Sequence, residues 1–550
     1  MYNKCKELKK KTKGITLVAL VLTIIVLLIL AGVAISFTIG EEGIFRKAQD
    51  ASKLYENAQE NEMISLEEIS NYIDDLNKGN INNGEDEEEI KENIPNKPRL
   101  KQGMTAIKFN EPTETSKGTV VETNINDNSW YNYDEQKWAN ARTEDGSMWV
   151  WIPRFAYRIN ESNQTVDIVF LQGTNDNYYD EEGILREAKR CKNADDIVDT
   201  TEGFTVHPAF TDESMVGYRN GGWDSEIEGI WVAKFEAGYA TGGENTATVK
   251  ASSVNYTQNQ VWTPAVENGT NAEGNLSARN WLDGIYGENE TAIKYPTFQG
   301  STYSMIYIST GDIYSISRAL TEVGNIYGLS SDTDSHMMKN SEWGAIAYLT
   351  QSKYGVYDNE IAINNHNENS GGTSTTKEEG NNFASVYAVT GYNDSGKKWN
   401  EYLGGQNSPS STGNIYGIYD LSGGIWERTA GYINNGNTYL SMYGSSYVTG
   451  TSDKYAIVYP YSDEGADDIE REKNNYALNT KIYGDAIREI SQDGAGSTGW
   501  HGDYSNYPQS NHPFFGRGGV FSDSGSAGSV AFTVTNGGCH FRSGFRCVLI

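Results

Sequence analysis

Histidine and cysteine are scarce in this chain, at six and four among 550 residues. The cysteines (Cys5, Cys191, Cys539, Cys547) form no CxxC pair and the histidines no HExxH, so no zinc-ligand pattern exists and disulfides do not organise the fold. Positive charge is short as well. A net charge of −30 denies the basic face that a phosphate backbone requires, which excludes nucleic acid as a partner and leaves cationic or neutral partners allowed. There is no GxSxG elbow and no phosphate loop, and His207, His336, His366, His501, His512 and His540 are scattered among turn-rich stretches. No long internal period appears, which argues against a solenoid.

The carboxyl-terminal stretch has deficits of its own. From Ser510 to Ile550 there is no Lys, Glu, Gln, Met or Trp, and Asp523 is the one acidic residue. Glycines recur where a chain turns sharply (Gly518, Gly519, Gly525, Gly528, Gly537, Gly538, Gly544), and the side chains between them follow neither a helical nor an alternating period. Such a pattern predicts loops pinned on a scaffold. Side-chain variety between fixed turns places a binding face at Val520, Phe521, Ser522, Asp523, Ser526, Ser529, Val530, Thr533, Val534, Thr535, Asn536, Cys539, His540, Phe541, Arg542 and Ser543, with the glycines, Arg517 and Phe545 as framework. The frame Arg517-Gly518-Gly519, Ala527-Gly528, Phe532 and Gly544-Phe545-Arg546 resembles the variable region of diversity-generating retroelement target proteins. In that family a reverse transcriptase rewrites adenines, mostly in Asn and Tyr codons that cannot become Lys, Glu, Gln, Met or Trp. The resemblance therefore implies a hypervariable ligand-binding site at 517–550.

A long uncharged apolar run occurs at Ile15–Ile39, preceded by a lysine-rich leader, residues 1–14. At about 1.5 Å per residue a helix there exceeds the ~30 Å hydrocarbon core. Lysines on its amino side orient it with the rest of the chain outward, so a single-pass bacterial membrane protein with an extracellular head is expected. A secretory signal would have a shorter apolar core. Lys13 to Leu20 resembles the type IV prepilin signature, which implies a prepilin peptidase cutting after Gly14. Ile15 replaces the family's Phe, and Ala19 stands in place of the Glu that pairs subunits. Two readings stay open, a pilin-derived anchor and a minor pilin-like subunit.

The predicted fold class is α+β. Apolar residues from Phe45 to Leu76 recur at three- and four-residue spacings, an amphipathic stalk helix over residues 40–76. Residues 77–100 turn acidic and polar with Pro95 and Pro98, as a solvated linker would. A small β-rich segment, 101–145, is expected to pack on or precede a body, 146–550, of short strands and loops. Strands are predicted at Met104–Phe109 and Trp149–Tyr157, helices at Glu181–Lys192 and Ser341–Thr350, and surface loops at Asn364–Asn382, Gly404–Gly413 and Ser462–Asn475.

Trp149–Phe155, Ile230–Tyr239, Lys339–Tyr348, Asn414–Thr429, Arg517-Gly518-Gly519 and Gly544–Cys547 together resemble the C-type-lectin-like domain of the formylglycine-generating enzyme (sulfatase-modifying factor) superfamily, with Gly417–Thr429 (GIYDLSGGIWERT) the most specific motif. That resemblance implies a structural calcium ion at Asp420, Gly423, Ile425 and Glu427, hard oxygen donors at short spacing. The other reading of these residues makes Asp420 a turn cap and pairs Glu427 with an arginine such as Arg428. The family's oxidase holds copper with two cysteines shortly before the terminal GFRC, and Ser529–Asn536 contains none, so no copper and no enzyme activity are expected. A cell-surface protein binding an extracellular protein or glycan is the leading expectation; a formylglycine-generating oxidoreductase and a minor pilin are the alternatives.

Overall fold

A computed structural model describes residues 92–550 apart from 191–198, 213–220, 239–295, 370–385 and positions 303, 306–307, 394–395, 406–407, 445, 451, 480–481, 539 and 541. The leader, apolar run, stalk and most of the linker lie outside the described residues; among those described, no helix is long and apolar enough to cross a membrane. Ile90–Ile550 is one compact unit of many strands and few helices.

The strand Met148–Pro153 (MWVWIP) shows why the body has so few alternating sequences. Its residues are all buried, Trp149 and Trp151 packing into one apolar core and Val150 and Ile152 into another on the opposite face. It lies inside an antiparallel seven-stranded sheet ordered Ser335–Met337, Cys547–Leu549, Gly229–Ala233, Met148–Pro153, Asn140–Thr143, Met104–Asn110 and Thr119–Glu122. Residues 101–145 are therefore part of this sheet rather than a segment apart. A second sheet runs Ile457–Tyr459, Trp426–Ile433, Phe514–Arg517, Phe532–Thr535, Ser505–Asn506 and Ala495–Gly496, with Ser543–Gly544 parallel to Trp426 and Glu427. The chain end contributes Phe532–Thr535 and Ser543–Gly544 to the second sheet and Cys547–Leu549 to the first. The same short segment thus ties both sheets together.

The helix Asn340–Thr350 is apolar on most sides and buried at every residue, and the Glu342 carboxylate accepts from Lys339 N–H (2.7 Å) at its start. Other expectations are corrected. The predicted strand Trp149–Tyr157 is two strands in different sheets, broken at Arg154, whose buried guanidinium donates to Phe210 C=O (2.8 Å) and Asp176 (2.7 Å). Within Glu181–Lys192, described to Arg190, there is no helix. Asn177–Tyr179 pairs with Leu185–Glu187 instead, because the Asp180 carboxylate accepts from Ile184 N–H (2.8 Å) and Gly183 takes φ 74°. Asp468–Leu478, expected as loop, is a helix capped by Asp467 accepting from Glu470 N–H (2.9 Å). Ser408, Ser410, Ser411 and Thr412 are buried rather than looped into solvent. The last part of the linker is docked on the body, with Pro98 buried and the Trp151 and Trp231 indoles donating to Asn96 C=O (3.0 Å) and Arg99 C=O (2.7 Å).

Candidate functional site

The Gly417–Thr429 motif makes a tight turn and then a strand. Asp420 has φ 62°, and its Oδ1 accepts from Gly391 N–H and Asn364 Nδ2, each at 2.8 Å. Gly423, at φ 80°, lies so close to Asn364 that a Cβ would sit 2.4 Å from its carbonyl oxygen. Ile425 N–H donates to the buried Glu236 carboxylate (3.3 Å), and Trp426–Ile433 then enters the second sheet with Glu427 opposite Arg517.

Three buried arginines carry the carboxyl-terminal loops. Arg546 reaches back to Glu427 with Nε donating at 2.6 Å and Nη2 to the other oxygen, and Nη2 also donates to Tyr419 C=O (2.9 Å). Arg428 Nη1 donates to Ile308 C=O (2.9 Å) and Gly537 C=O (2.8 Å), and its Nη2 to Gly538 C=O, fixing the turn that leads into 539–542. Arg517 donates to the carbonyls of Asp485 (3.0 Å) and Ala486 (2.8 Å) from beneath the strand, and burial pushes its guanidinium down to about 10. Each guanidinium satisfies backbone carbonyls that a loop-rich region leaves without a ladder.

On this framework the predicted binding residues divide. Phe521, Asp523, Ser526, Thr533, Val534, Thr535, Asn536 and Arg542 are half-buried, and Ser522 and His540 are exposed. Val520, Ser529, Val530 and Ser543 are buried, which corrects their placement on the face. Val530 packs with Trp343 in the core while its N–H donates to Asp503 (3.2 Å). The Ser529 carbonyl accepts from Trp343 Nε1 (2.7 Å), and Ser543 is held in the parallel pairing beside Trp426. Asp523 also has a framework task, its carboxylate accepting from Val520 N–H (3.0 Å). Cys539 and Phe541 lie outside the described residues.

Reasoning from sequence missed two half-buried rings at this surface, Trp426 and Tyr504, whose centroids are 6.4 Å apart. Gly516 lets Thr533 and Trp426 share a face: a Cβ there would lie 3.1 Å from Thr533 Cγ2 and 3.6 Å from Trp426 Cβ. The signal was in the motif, since Trp426 precedes Glu427 on a strand and must point to the opposite side.

The four residues expected around calcium do not fit that ion. Both Glu427 oxygens are engaged by Arg546, so a guanidinium already supplies the positive charge for Glu427, Asp420 and Glu236. Burial, reinforced by the Asp420 and Glu427 charges, pushes Glu236 well above the ordinary carboxylate range. Asp420 Oδ2 is buried without a hydrogen-bond partner, and among the described residues no group of three His, Cys, Asp or Glu side chains is arranged to hold a metal. The partner of Glu427 is Arg546, not the adjacent Arg428. Cys547 is buried with its thiol donating to Ser317 Oγ (3.2 Å), and burial pushes it up to about 12.

No family model matches the chain. No curated protein matches it either. Among solved structures it is similar to Treponema denticola variable protein 1, at 12% sequence identity and a TM-score of 0.19, over 58% of this chain and 95% of that one.

Proposed function

We propose that this chain is a surface-anchored receptor or adhesin, its C-type-lectin-like head displaying a hypervariable site on the loops of residues 517–550, and that it is not an enzyme. One observation carries the reading. Along the terminal segment, buried framework residues (Arg517, Val520, Val530, Phe545) alternate with runs of half-buried or exposed side chains (residues 521–526, 533–536, 540 and 542). Loops held from below by Arg428, Arg517 and Arg546 can change their outer side chains while backbone carbonyls keep their donors.

The oxidoreductase alternative needs reactive thiolates to hold Cu(I). Ser529–Asn536, the span where the formylglycine-generating family places its copper-binding cysteines, contains no cysteine, which favours the binding reading. Exposure of the head follows from the lysine-flanked run at Ile15–Ile39.

Sequencing around the gene tests the core of the proposal. A reverse transcriptase beside an adenine-rich near-copy of the final coding segment, with related copies differing at the outward positions, is expected. Copies that differ mainly at Val520, Val530 and the arginines would overturn it. Protease added to intact cells should release the head, and a protected head would overturn the surface placement alone.

A further inference from the structure

A cleft of about 1040 Å³ lies along a three-stranded sheet, and none of its lining residues belongs to the carboxyl-terminal loops. One wall is the strand Thr165–Phe170, an outer strand whose one sheet neighbour among the described residues is Phe155–Asn160. In an antiparallel pair alternate residues turn N–H and C=O away from the partner. Val166 and Phe170 are such residues: Val166 N–H donates to Gln351 C=O (2.8 Å) and Phe170 N–H to Asn93 Oδ1 (2.8 Å). Asn93 Nδ2 donates back to Phe170 C=O (2.9 Å), so this amide side chain imitates one residue of an added strand. Ile168 sits midway between them and lines the cleft; by the same alternation its N–H and C=O turn away from Phe155–Asn160, while its side chain packs in the core and leaves 5% of the residue exposed along this edge.

The cleft also has an excess of one charge. Arg158 and Arg186 are ion-paired with Asp167 (2.6 Å) and Asp180 (2.7 Å), which leaves Glu92, Asp134, Glu181 and Glu182 opposed by Lys353. Apolar surface accompanies the acids: Ile94 is 59% and Tyr357 45% exposed at the walls.

We propose that this cleft binds an extended basic segment of a partner protein, which adds as a short strand at Ile168 of the outer strand. Successive side chains of an extended peptide point to opposite sides, so alternating basic and apolar residues would set cations against Glu181, Glu182 and Asp134 and lay apolar groups on Ile94 and Tyr357. Phe170 is already capped by Asn93, which fixes where pairing begins. The site does not depend on the reading of the carboxyl-terminal loops.

The test uses the full-length chain in mild detergent and fluorescein-labelled Lys-Val-Lys-Val-Lys-Val, followed by anisotropy. Saturable binding is expected, with Glu-Val-Glu-Val-Glu-Val failing to compete. The exposed double substitution Glu181→Lys with Glu182→Lys should weaken binding about tenfold with unchanged melting. A peptide N-methylated at its central residues keeps its charge and loses its strand donors, and should bind at least as poorly. Equal binding of both peptides, or an unaffected double variant, overturns the charge assignment; full binding of the N-methylated peptide overturns strand addition. No binding, or a dimer of the chain that the double variant abolishes, overturns the peptide as occupant.

Discussion

Arg546 grips Glu427 across 119 residues of sequence, a two-pronged ion pair with both side chains buried. It joins the turn-strand motif to the terminal Gly-Phe-Arg, and the Tyr419 carbonyl takes a further donor from the same guanidinium at 2.9 Å. Removing one partner leaves an uncompensated charge in the interior. Arg546→Met should therefore cost about 3 to 5 kcal/mol, whereas Arg546→Met combined with Glu427→Leu should recover much of the loss. Urea unfolding of a head beginning at Ile90 measures both. A double variant no better than the single one would show that the guanidinium matters for its carbonyls and not for the carboxylate.

The same pair governs the response to chelators. With Arg546 filling the position of a cation, EDTA should leave the melting temperature of the head unchanged, since a ligand that is not bound cannot stabilise by mass action. A drop with EDTA, reversed by added calcium and abolished in Glu427→Gln, would reinstate the calcium site implied by the family resemblance.

How much of this was legible in the sequence differs by residue. Asn340–Thr350 was readable because its apolar spacing is helical, and Gly518, Gly519 and Gly537 were readable as turns because their φ angles of 88°, 92° and 88° strain other residues. The inward turn of Val520 and Val530 was not. No period distinguishes the two sides of an irregular loop, so which side chain enters the core depends on partners such as Trp343 and Asp503 that are remote in sequence. The choice of Arg546 over Arg428 for Glu427 failed for a similar reason. Glu427 and Arg428 are neighbours on a strand and so point to opposite faces, where only a distant arginine can reach the carboxylate. The helix Asp468–Leu478 was obscured by its polar composition, because it buries only Glu472, Asn475 and Tyr476.

Acidity should stabilise the head within a defined window. Asp485 is buried and Asp145 half-buried, and desolvation pushes each from 3.8 to about 6, with the Glu489 charge adding to the effect at Asp485. The folded chain holds these protons more tightly than the unfolded chain does. Their contribution is full below 3.8 and is lost as the pH rises through about 6. Glu226 works in the opposite sense. Despite desolvation, hydrogen bonds from Arg190 and the Asp212 N–H, together with the Arg154 charge, hold it down at about 2, so its contribution is present above 4.5 and lost as the pH falls through about 2. The melting temperature should accordingly be higher at pH 5 than at pH 8 and fall again in strong acid. A melting temperature that rises steadily from pH 5 to pH 8 would contradict this, and Asp485→Asn should flatten the alkaline decline.

The sharpest separation of display positions from framework is by tolerance. Ser522 is exposed and Ser526 and Thr535 half-buried, so substituting each with Arg or Tyr should change stability by only about 0.5 kcal/mol. Val520 and Val530 are essentially inaccessible, and an aspartate at either would bury a carboxylate without a partner, costing about 3 kcal/mol or more. Gly528 gives a third kind of position, because a Cβ there would lie 2.0 Å from the Asp503 carboxylate that receives Val530 N–H. Gly528→Ala should therefore destabilise the head although it adds one methyl group, and Gly528→Ala with Asp503→Ala should recover part of the loss by removing the obstruction. Display of a library on cells, sorted for protease resistance, reads all of these at once. Free substitution at Ser522, Ser526 and Thr535 alongside strict retention at Val520, Gly528 and Val530 is the expected outcome. Equal tolerance at the two sets would mean that the terminal loops are not held from below, and the variable-site reading would lose its structural basis.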